Sequence, residues 1–148
     1  MQASLPCKIV ANVIIGSRPE PFFASCLASV SRAVDFLILN DNSGSPDNPN
    51  LIPFRESKLH KQGKTALIQS NLKSLSGLDE ARNLCLLETG RRFSDEPVWV
   101  LYLDADEVHT NGLEMITRKF LPRLSPEVSA VDGYFLPIHS VFRLLCVP

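Results

Sequence analysis

Three carboxylates follow the most apolar segment of the sequence within four positions. Residues 98–103 read VWVLYL, and Asp104, Asp106 and Glu107 come directly after them. Carboxylates this close repel one another, and burying one without a partner is costly. A divalent cation would compensate the cluster, and hard oxygen ligands suit Mn²⁺ or Mg²⁺. The pattern predicts a metal site at Asp104 and Asp106 with Glu107 as a supporting residue, although acids that merely solvate a loop would give the same pattern.

Polar residues also follow two other predicted strands. Asn40, Asp41 and Asn42 come after the apolar run DFLIL, and Ser70 and Asn71 come after TALIQ. In a parallel sheet, ligands bind beyond the carboxyl ends of the strands, where the loops carry the polar groups. We therefore expect these residues and the three carboxylates to line the same edge of a sheet.

Strand-like and helix-like segments alternate along the chain. Apolar and β-branched runs predict strands at residues 8–15, 35–39, 65–69, 98–103 and 130–142. Helical spacing and capping signals predict helices over residues 20–34, 76–90 and 110–122, with residues 46–64 interpreted as a loop that contains a short helix. Within these, Ser76 would cap the second helix and Gly90 would end it, while Thr110 or Asn111 would cap the third and Pro122 would end it. The alternation is typical of an α/β fold, a mostly parallel sheet with helices on both faces in three layers.

Four segments together resemble the family 2 glycosyltransferases of GT-A fold. They are the VII strand near the N-terminus, ILNDNSG after the second strand, EARN in the helix that precedes the carboxylates, and YLDADE. Their order and spacing are similar to the family pattern over residues 8–116. The resemblance implies a single Rossmann-like GT-A domain over residues 1–148, which is incomplete because the acceptor-binding half of the family domain would follow.

The resemblance also implies a donor site. The expected nucleotide-sugar-binding positions are Ile15, Gly16, Ser17, Asp41, Arg82 and Asp104. Asp41 would contact the base or ribose, Arg82 would lie near the base and diphosphate, and the backbone at Ile15–Ser17 would line the nucleoside pocket. Asp106 would be the main ligand of Mn²⁺ or Mg²⁺, with Asp104 beside it. Asn40 and Asn42 depart from the family, which has Asp and Gly at these places.

The implied activity is inverting transfer from a nucleoside-diphosphate sugar, with UDP as the commonest donor nucleotide, to an acceptor that the sequence does not identify. No acidic residue downstream of Asp106 matches the family's catalytic base, so the base is unassigned. One alternative is a catalytically incomplete nucleotide-binding, metal-binding or interaction module. Another is a haloacid dehalogenase-like phosphatase, because Asp104-x-Asp106-x-Val108 matches its nucleophile motif. That family carries the motif on its first strand, whereas three strand-like segments precede it here.

Composition and local patterns indicate which classes of partner and which cellular compartment to expect. Fifteen basic and sixteen acidic residues give a net charge of −1, without the basic face expected for nucleic-acid binding. No apolar run reaches the ~18 residues of a membrane span, and the N-terminus lacks a signal-peptide pattern.

Cys26 and Cys85 fall in helical patterns, and buried free thiols favour a reducing compartment. We expect a cytoplasmic protein, with peripheral membrane association left open, and an apolar segment at 134–148 that forms an exposed patch or an interface between two copies.

Overall fold

The first strand, β1 (Lys8–Ile15), lies in the interior of a six-stranded sheet. The computed structural model describes residues 7–74, 77–125, 127–135 and 140–147. The other strands are β2 (Phe36–Asp41), β3 (Thr65–Gln69), β4 (Val98–Asp104), β5 (Ala130–Phe135) and β6 (Ser140–Val147). The helices are α1 (Phe23–Val30), α2 (Leu51–Glu56), α3 (Lys58–Lys61), α4 (Gly77–Arg92) and α5 (Asn111–Met115), followed by a π-helical turn (Ile116–Phe120) and a 3₁₀ turn (Leu121–Arg123).

The strand order is β3-β2-β1-β4-β6-β5. The first four strands are parallel, whereas β6 runs antiparallel to β4 and β5 antiparallel to β6. The chain builds outward from β1 to β3 and then returns to place β4 on the other side of β1. The order therefore reverses between β1 and β4, and such a switch point leaves a crevice beyond the carboxyl ends of the two strands.

Successive side chains of the strands point to opposite faces of the sheet and pack in two separate hydrophobic cores. Ile9, Ala11 and Val13 of β1 face the larger core, which includes residues of α1, α2, α3 and α5. Val10 faces the opposite side and joins a smaller core with Cys85 of α4. The predicted three-layer, Rossmann-like α/β architecture with helices on both faces of a mostly parallel sheet is confirmed.

The predicted end of the second helix at Gly90 is wrong. Helix α4 continues to Arg92, and Gly90 does not have the positive φ of a left-handed helix cap, which among the described residues occurs only at Gly44 and Gly63. Glu88 forms ion pairs with Arg91 and Arg92, one turn further along, and these pairs lie across the final turn. Ser76, the predicted cap, lies outside the described residues.

Other boundaries also differ from the sequence-based expectation. Residues 46–64 contain two short helices, α2 and α3. The third predicted helix is capped by the Thr110 hydroxyl, which accepts from the Gly112 N–H, but it changes to π-helical and then to 3₁₀ geometry, and Pro122 lies inside the 3₁₀ turn. The final β-like segment consists of two strands, β5 and β6.

The apolar segment 134–148 contributes main chain to the sheet. Strand β6 pairs with β4 on one side and with β5 on the other. Its predicted role as a surface patch or interface concerns side chains that lie outside the described part of the chain. Among the helices that the structure describes, none has both the length and the apolar character needed to cross a membrane.

Candidate functional site

The carboxyl ends of three adjacent strands bring Asp41 and Asp104 to the same edge of the sheet. Asp104 of β4 pairs in register with Ile14 of β1, and Asp41 of β2 pairs with Ile15. The two carboxylates therefore flank β1, separated by two strand spacings, or about 10 Å. This edge lies beside the switch point between β1 and β4. The expected grouping of these residues at one sheet edge is therefore present.

The acidic turn, residues 104–107, is closed by two hydrogen bonds. The Glu107 N–H donates to the Asp104 carbonyl oxygen at 3.1 Å, and the Asp104 N–H donates to Glu107 Oε2 at 3.2 Å. Ala105 is buried in the larger core, whereas Asp106 and 68% of the Asp104 side chain are exposed. The small apolar residue therefore anchors the turn while the two aspartates on either side of it face solvent.

Buried and half-buried side chains surround the acidic turn on the side that faces the protein interior. The Cys26 thiol donates to the Asp104 carbonyl oxygen at 3.6 Å, and burial, followed by the negative charges of the turn, raises its pKa to about 12. Burial also raises the pKa of Glu107, with Asp104 and Asp106 adding to the effect, and lowers the pKa of His109, whose Nε2 lies 3.8 Å from Glu107 Oε2. Glu107 is thus turned inward, and its contacts are those of a supporting residue.

Arg82 reaches the acidic turn from α4. Its Nη2 lies 3.7 Å from Asp104 Oδ1, and its Nη1 lies 4.0 Å from Asp79 Oδ1. The helix is held in place by Asn40 of β2, whose Nδ2 donates to the Ala81 carbonyl oxygen at 3.0 Å. The structure therefore brings Arg82 and Asp104 together.

Asp41 lies on the other side of β1 and is almost fully buried, with 1% exposure. It is the last residue of β2 and therefore belongs to the strand, not to the turn that follows. Its Oδ1 accepts from Asn48 Nδ2 at 2.7 Å and from the Ser43 N–H at 3.1 Å. Asp41 also contributes to the wall of an open groove of about 340 Å³, lined by Asp41, Gly44, Ser45, Pro46, Gln69, Ser70 and Asn71.

The two asparagines that depart from the family pattern hold this groove together. The Ser70 hydroxyl lies 2.7 Å from Asn40 Oδ1 and 2.9 Å from Asn42 Oδ1. Asn42 also accepts from the Leu72 N–H at 2.7 Å and donates to the Leu72 carbonyl oxygen at 3.1 Å. Both side chains therefore bind the segment after β3 to the end of β2.

Two further asparagines, Asn48 and Asn50, were not predicted from the sequence. Asn48 Nδ2 donates to the Gly16 carbonyl oxygen at 2.9 Å, and Asn50 Nδ2 donates to the same oxygen at 3.3 Å and to the Arg18 carbonyl oxygen at 2.7 Å. The signal available was the pair of asparagines around a proline in SPDNPN, which looks like an ordinary turn.

These contacts limit how the loop after β1 can line a pocket. The Ile15 side chain is buried in the larger core, and its carbonyl oxygen accepts from the Asn42 N–H at 2.9 Å. Gly16 is exposed, but its carbonyl oxygen is already bonded to Asn48 and Asn50. Ser17 is exposed, and its contact with a nucleoside stays a prediction.

A second, smaller cavity lies beside the Arg82–Asp104 pair. It has a volume of about 50 Å³ and is also lined by Asn12 and Tyr102. This volume is far below the roughly 300–1,000 Å³ of small-molecule sites, so the cavity is too small for a nucleotide. Asn12 is buried, its Oδ1 accepts from the Thr89 hydroxyl at 3.3 Å, and its Nδ2 has no hydrogen-bond partner among the described residues.

The acidic turn has the donor chemistry of a magnesium or manganese site that a substrate completes. Within the described ranges, no group of three or more His, Cys, Asp or Glu side chains is arranged to hold a metal ion. Mg²⁺ commonly takes one or two protein carboxylates and fills its other positions with water and substrate phosphates. Asp104 and Asp106 offer two exposed carboxylates, and Asp106 has no hydrogen bond or ion pair to any described residue. The residues present therefore fit such a shared site.

Comparison with known proteins gives no further assignment, since no family model matches the chain and no curated protein matches it. The function must therefore be inferred from the arrangement of the site.

Proposed function

We propose that the chain binds a nucleoside-diphosphate sugar at this sheet edge, as the donor-binding part of a GT-A-type glycosyltransferase. The observation that carries the proposal is the placement of Asp41 and Asp104 on either side of β1 at the switch point, with Arg82 beside Asp104. Ligands of open α/β sheets bind at such crevices. The separation of about 10 Å between the two strand ends suits a ligand with a nucleoside at one end and a diphosphate at the other.

In this arrangement the nucleoside would lie in the groove beside Asp41. A carboxylate only accepts hydrogen bonds, so Asp41 would select a base or ribose group that donates an N–H or O–H. The sugar and diphosphate would lie across the loop after β1, toward Asp104. The groove volume of about 340 Å³ lies within the range of small-molecule sites.

Arg82 and the acidic turn would hold the diphosphate end. Asp106 and Asp104 would be the protein ligands of Mn²⁺ or Mg²⁺, which when bound neutralises charge that develops on the departing nucleoside diphosphate. Arg82 Nη2 lies 3.7 Å from Asp104 Oδ1, so its guanidinium is placed where it would contact the diphosphate of a donor bound beside the acidic turn. The acceptor and the catalytic base remain unassigned.

We propose that this activity takes place in the cytoplasm, and the state of the described cysteines supports this location. Cys26 and Cys85 are free thiols, and both are buried. Free thiols are usual in reducing compartments, whereas secreted proteins of this size often form disulfides.

The phosphatase alternative has less support from the fold. Asp104 follows β4, and three strands, β1 to β3, precede it in the chain. The phosphatase family carries its nucleophile after its first strand. A binding module without catalysis would use the same site, so it differs from the proposed function only in the outcome of an activity measurement.

The test is calorimetric titration of UDP and GDP into the chain, with and without Mn²⁺. We expect Mn²⁺-dependent binding that Asp106→Ala weakens by at least roughly a hundredfold, since replacing even groups that only support a metal ligand costs about 10- to 100-fold. Asp95→Ala is the matched control, because Asp95 is an exposed aspartate near the opposite end of β4.

Two results would count against the proposal. A folded chain that binds neither nucleotide has no donor site, and binding that Asp106→Ala leaves unchanged does not use the acidic turn. Release of UDP from a UDP-sugar, measured in the same samples, separates an enzyme from a binding module.

A further inference from the structure

Asn48 is a buried side chain that joins two parts of the sheet edge. It is 4% exposed although it lies in a loop before α2. Its Nδ2 donates one N–H to Asp41 Oδ1 at 2.7 Å and the other to the Gly16 carbonyl oxygen at 2.9 Å. Its Oδ1 accepts from the Asn50 N–H at 3.1 Å. Both N–H groups of the amide are thus used to connect the end of β2 with the end of β1.

Asn50 holds the same loop, but none of its described hydrogen bonds goes to Asp41. Its Nδ2 donates to the carbonyl oxygens of Gly16 and Arg18, and its Oδ1 accepts from the Glu20 N–H at 2.8 Å. All hydrogen bonds described for the Gly16 and Arg18 carbonyl oxygens come from Asn48 and Asn50. The exposed loop after β1 therefore depends on these two side chains for its position.

Asn48 also determines which oxygen of Asp41 is available. Oδ1 accepts from Asn48 and from the Ser43 N–H, whereas Oδ2 accepts no hydrogen bond from a described residue. Asp41 lines the groove, and Oδ2 is the oxygen of its carboxylate to which no described residue donates. A carboxylate fixed in one orientation binds a ligand donor without first losing side-chain freedom.

We propose that Asn48 is a positioning residue of the nucleotide site, an inference that rests on the proposed function. Its Nδ2 holds Oδ1 of Asp41, which leaves Oδ2 for the nucleoside. The same nitrogen holds the Gly16 carbonyl oxygen, and with it the adjoining Ser17, next to Asp41. An aspartate at position 48 has nearly the same shape but no N–H, and it would place a second carboxylate against Asp41. The requirement is therefore for an amide, and not only for a residue of this size.

The test compares Asn48→Asp with Asn50→Asp, the same isosteric change at a neighbour whose described hydrogen bonds do not include Asp41. UDP binding is titrated in the presence of Mn²⁺, and hydrogen–deuterium exchange of the Ser43 amide is followed in the nucleotide-free chain. We expect Asn48→Asp to weaken UDP binding by roughly 10- to 100-fold, as loss of a hydrogen bond to a charged group does. It should also speed exchange at Ser43, whose N–H bonds to Asp41 Oδ1. Asn50→Asp should leave exchange at Ser43 unchanged and weaken binding less.

The outcomes separate the two proposals. If the wild-type chain binds neither UDP nor GDP but Ser43 exchanges faster in Asn48→Asp, the nucleotide site fails while the positioning of Asp41 by Asn48 stands. If UDP binds equally to the wild type and to Asn48→Asp, or if exchange at Ser43 does not change, the positioning role is overturned. Should Asn48→Asp fail to fold, Asn48→Ala removes the same two donors without adding charge and is subject to the same criteria.

Discussion

The two sides of the candidate site are built in opposite ways. On the β2 side, Asp41 is 1% exposed and is held by two hydrogen bonds from Asn48 and Ser43. On the β4 side, 68% of the Asp104 side chain is exposed, and its nearest described cation, on Arg82, lies 3.7 Å away. One carboxylate is fixed before any ligand arrives, while the other remains solvated.

Burial explains the difference. A buried carboxylate must be hydrogen-bonded, because desolvation of an unpaired charge is costly, whereas an exposed one can be satisfied by water. Exposed ion pairs such as Arg82–Asp104 contribute little to stability. The comparison suggests that the β2 side acts as a rigid nucleoside-recognition region and that the acidic turn is completed by a cation and diphosphate.

The largest expected effect contrasts Asn40→Ala with Asp106→Ala. Asn40 is fully buried, and removing it deletes its buried hydrogen bond to the Ala81 carbonyl oxygen and leaves the Ser70 hydroxyl with Asn42 alone. We expect Asn40→Ala to lower the free energy of unfolding by about 2–4 kcal/mol. Asp106→Ala should change it by no more than about 0.5 kcal/mol, since Asp106 is exposed and without a described partner.

Urea unfolding followed by circular dichroism measures both changes. Similar losses of unfolding free energy in the two variants would contradict the contrast between the two sides of the site. They would mean that the acidic turn contributes to folding as much as the buried amides do.

A smaller effect is expected for Gly44→Ala, with Gly63→Ala as the matched control. Both glycines have a φ of 69°, so alanine strains each by about 1–2 kcal/mol. At Gly44 a Cβ would also lie 2.5 Å from Asn71 Cγ in the groove wall, whereas at Gly63 nothing lies within 4 Å. Thermal unfolding should show a lower Tm for Gly44→Ala. Equal shifts would mean that the Asn71 side chain moves aside freely and that the groove wall is less rigid than the hydrogen bonds suggest.

The smallest effect concerns the pH dependence of the acidic turn. Burial, followed by the charges of Asp104 and Asp106, raises the pKa of Glu107 above its ordinary value of 4.5. The folded state then holds this proton more tightly than the unfolded state, so the Glu107 contribution to stability falls as pH rises from about 4.5 through the raised pKa.

Glu107→Gln removes that dependence and keeps an oxygen that can accept from the Asp104 N–H. We expect the free energies of unfolding of the two proteins, measured by urea titration at a series of pH values, to diverge in this window, with the wild type declining more. Parallel curves would show that Glu107 gains no proton on folding, and the acidic turn would then be less desolvated than its burial implies.

Local patterns in the sequence determined much of the fold. The β-branched run at β1 and the apolar run at β4 each predict a buried strand, because side chains that alternate across a sheet with helices on both faces are apolar on both sides. The alternation with helices then predicts a parallel sheet, and polar residues after each strand must meet at one edge. Asp41 and Asp104 could be placed at that edge from sequence alone, and Arg82 near them through the family resemblance.

Only the tertiary structure decided which residues hold the site. The Asn48–Gly16 bond joins positions 32 apart, and the Asn40–Ala81 bond joins positions 41 apart. Such contacts depend on strand order and on how α4 lies over the sheet, neither of which has a local signal. An asparagine in a turn and an asparagine that supports a carboxylate look the same in sequence. Their roles differ because folding buries Asn48 against Asp41, where leaving its N–H groups unpaired would cost free energy.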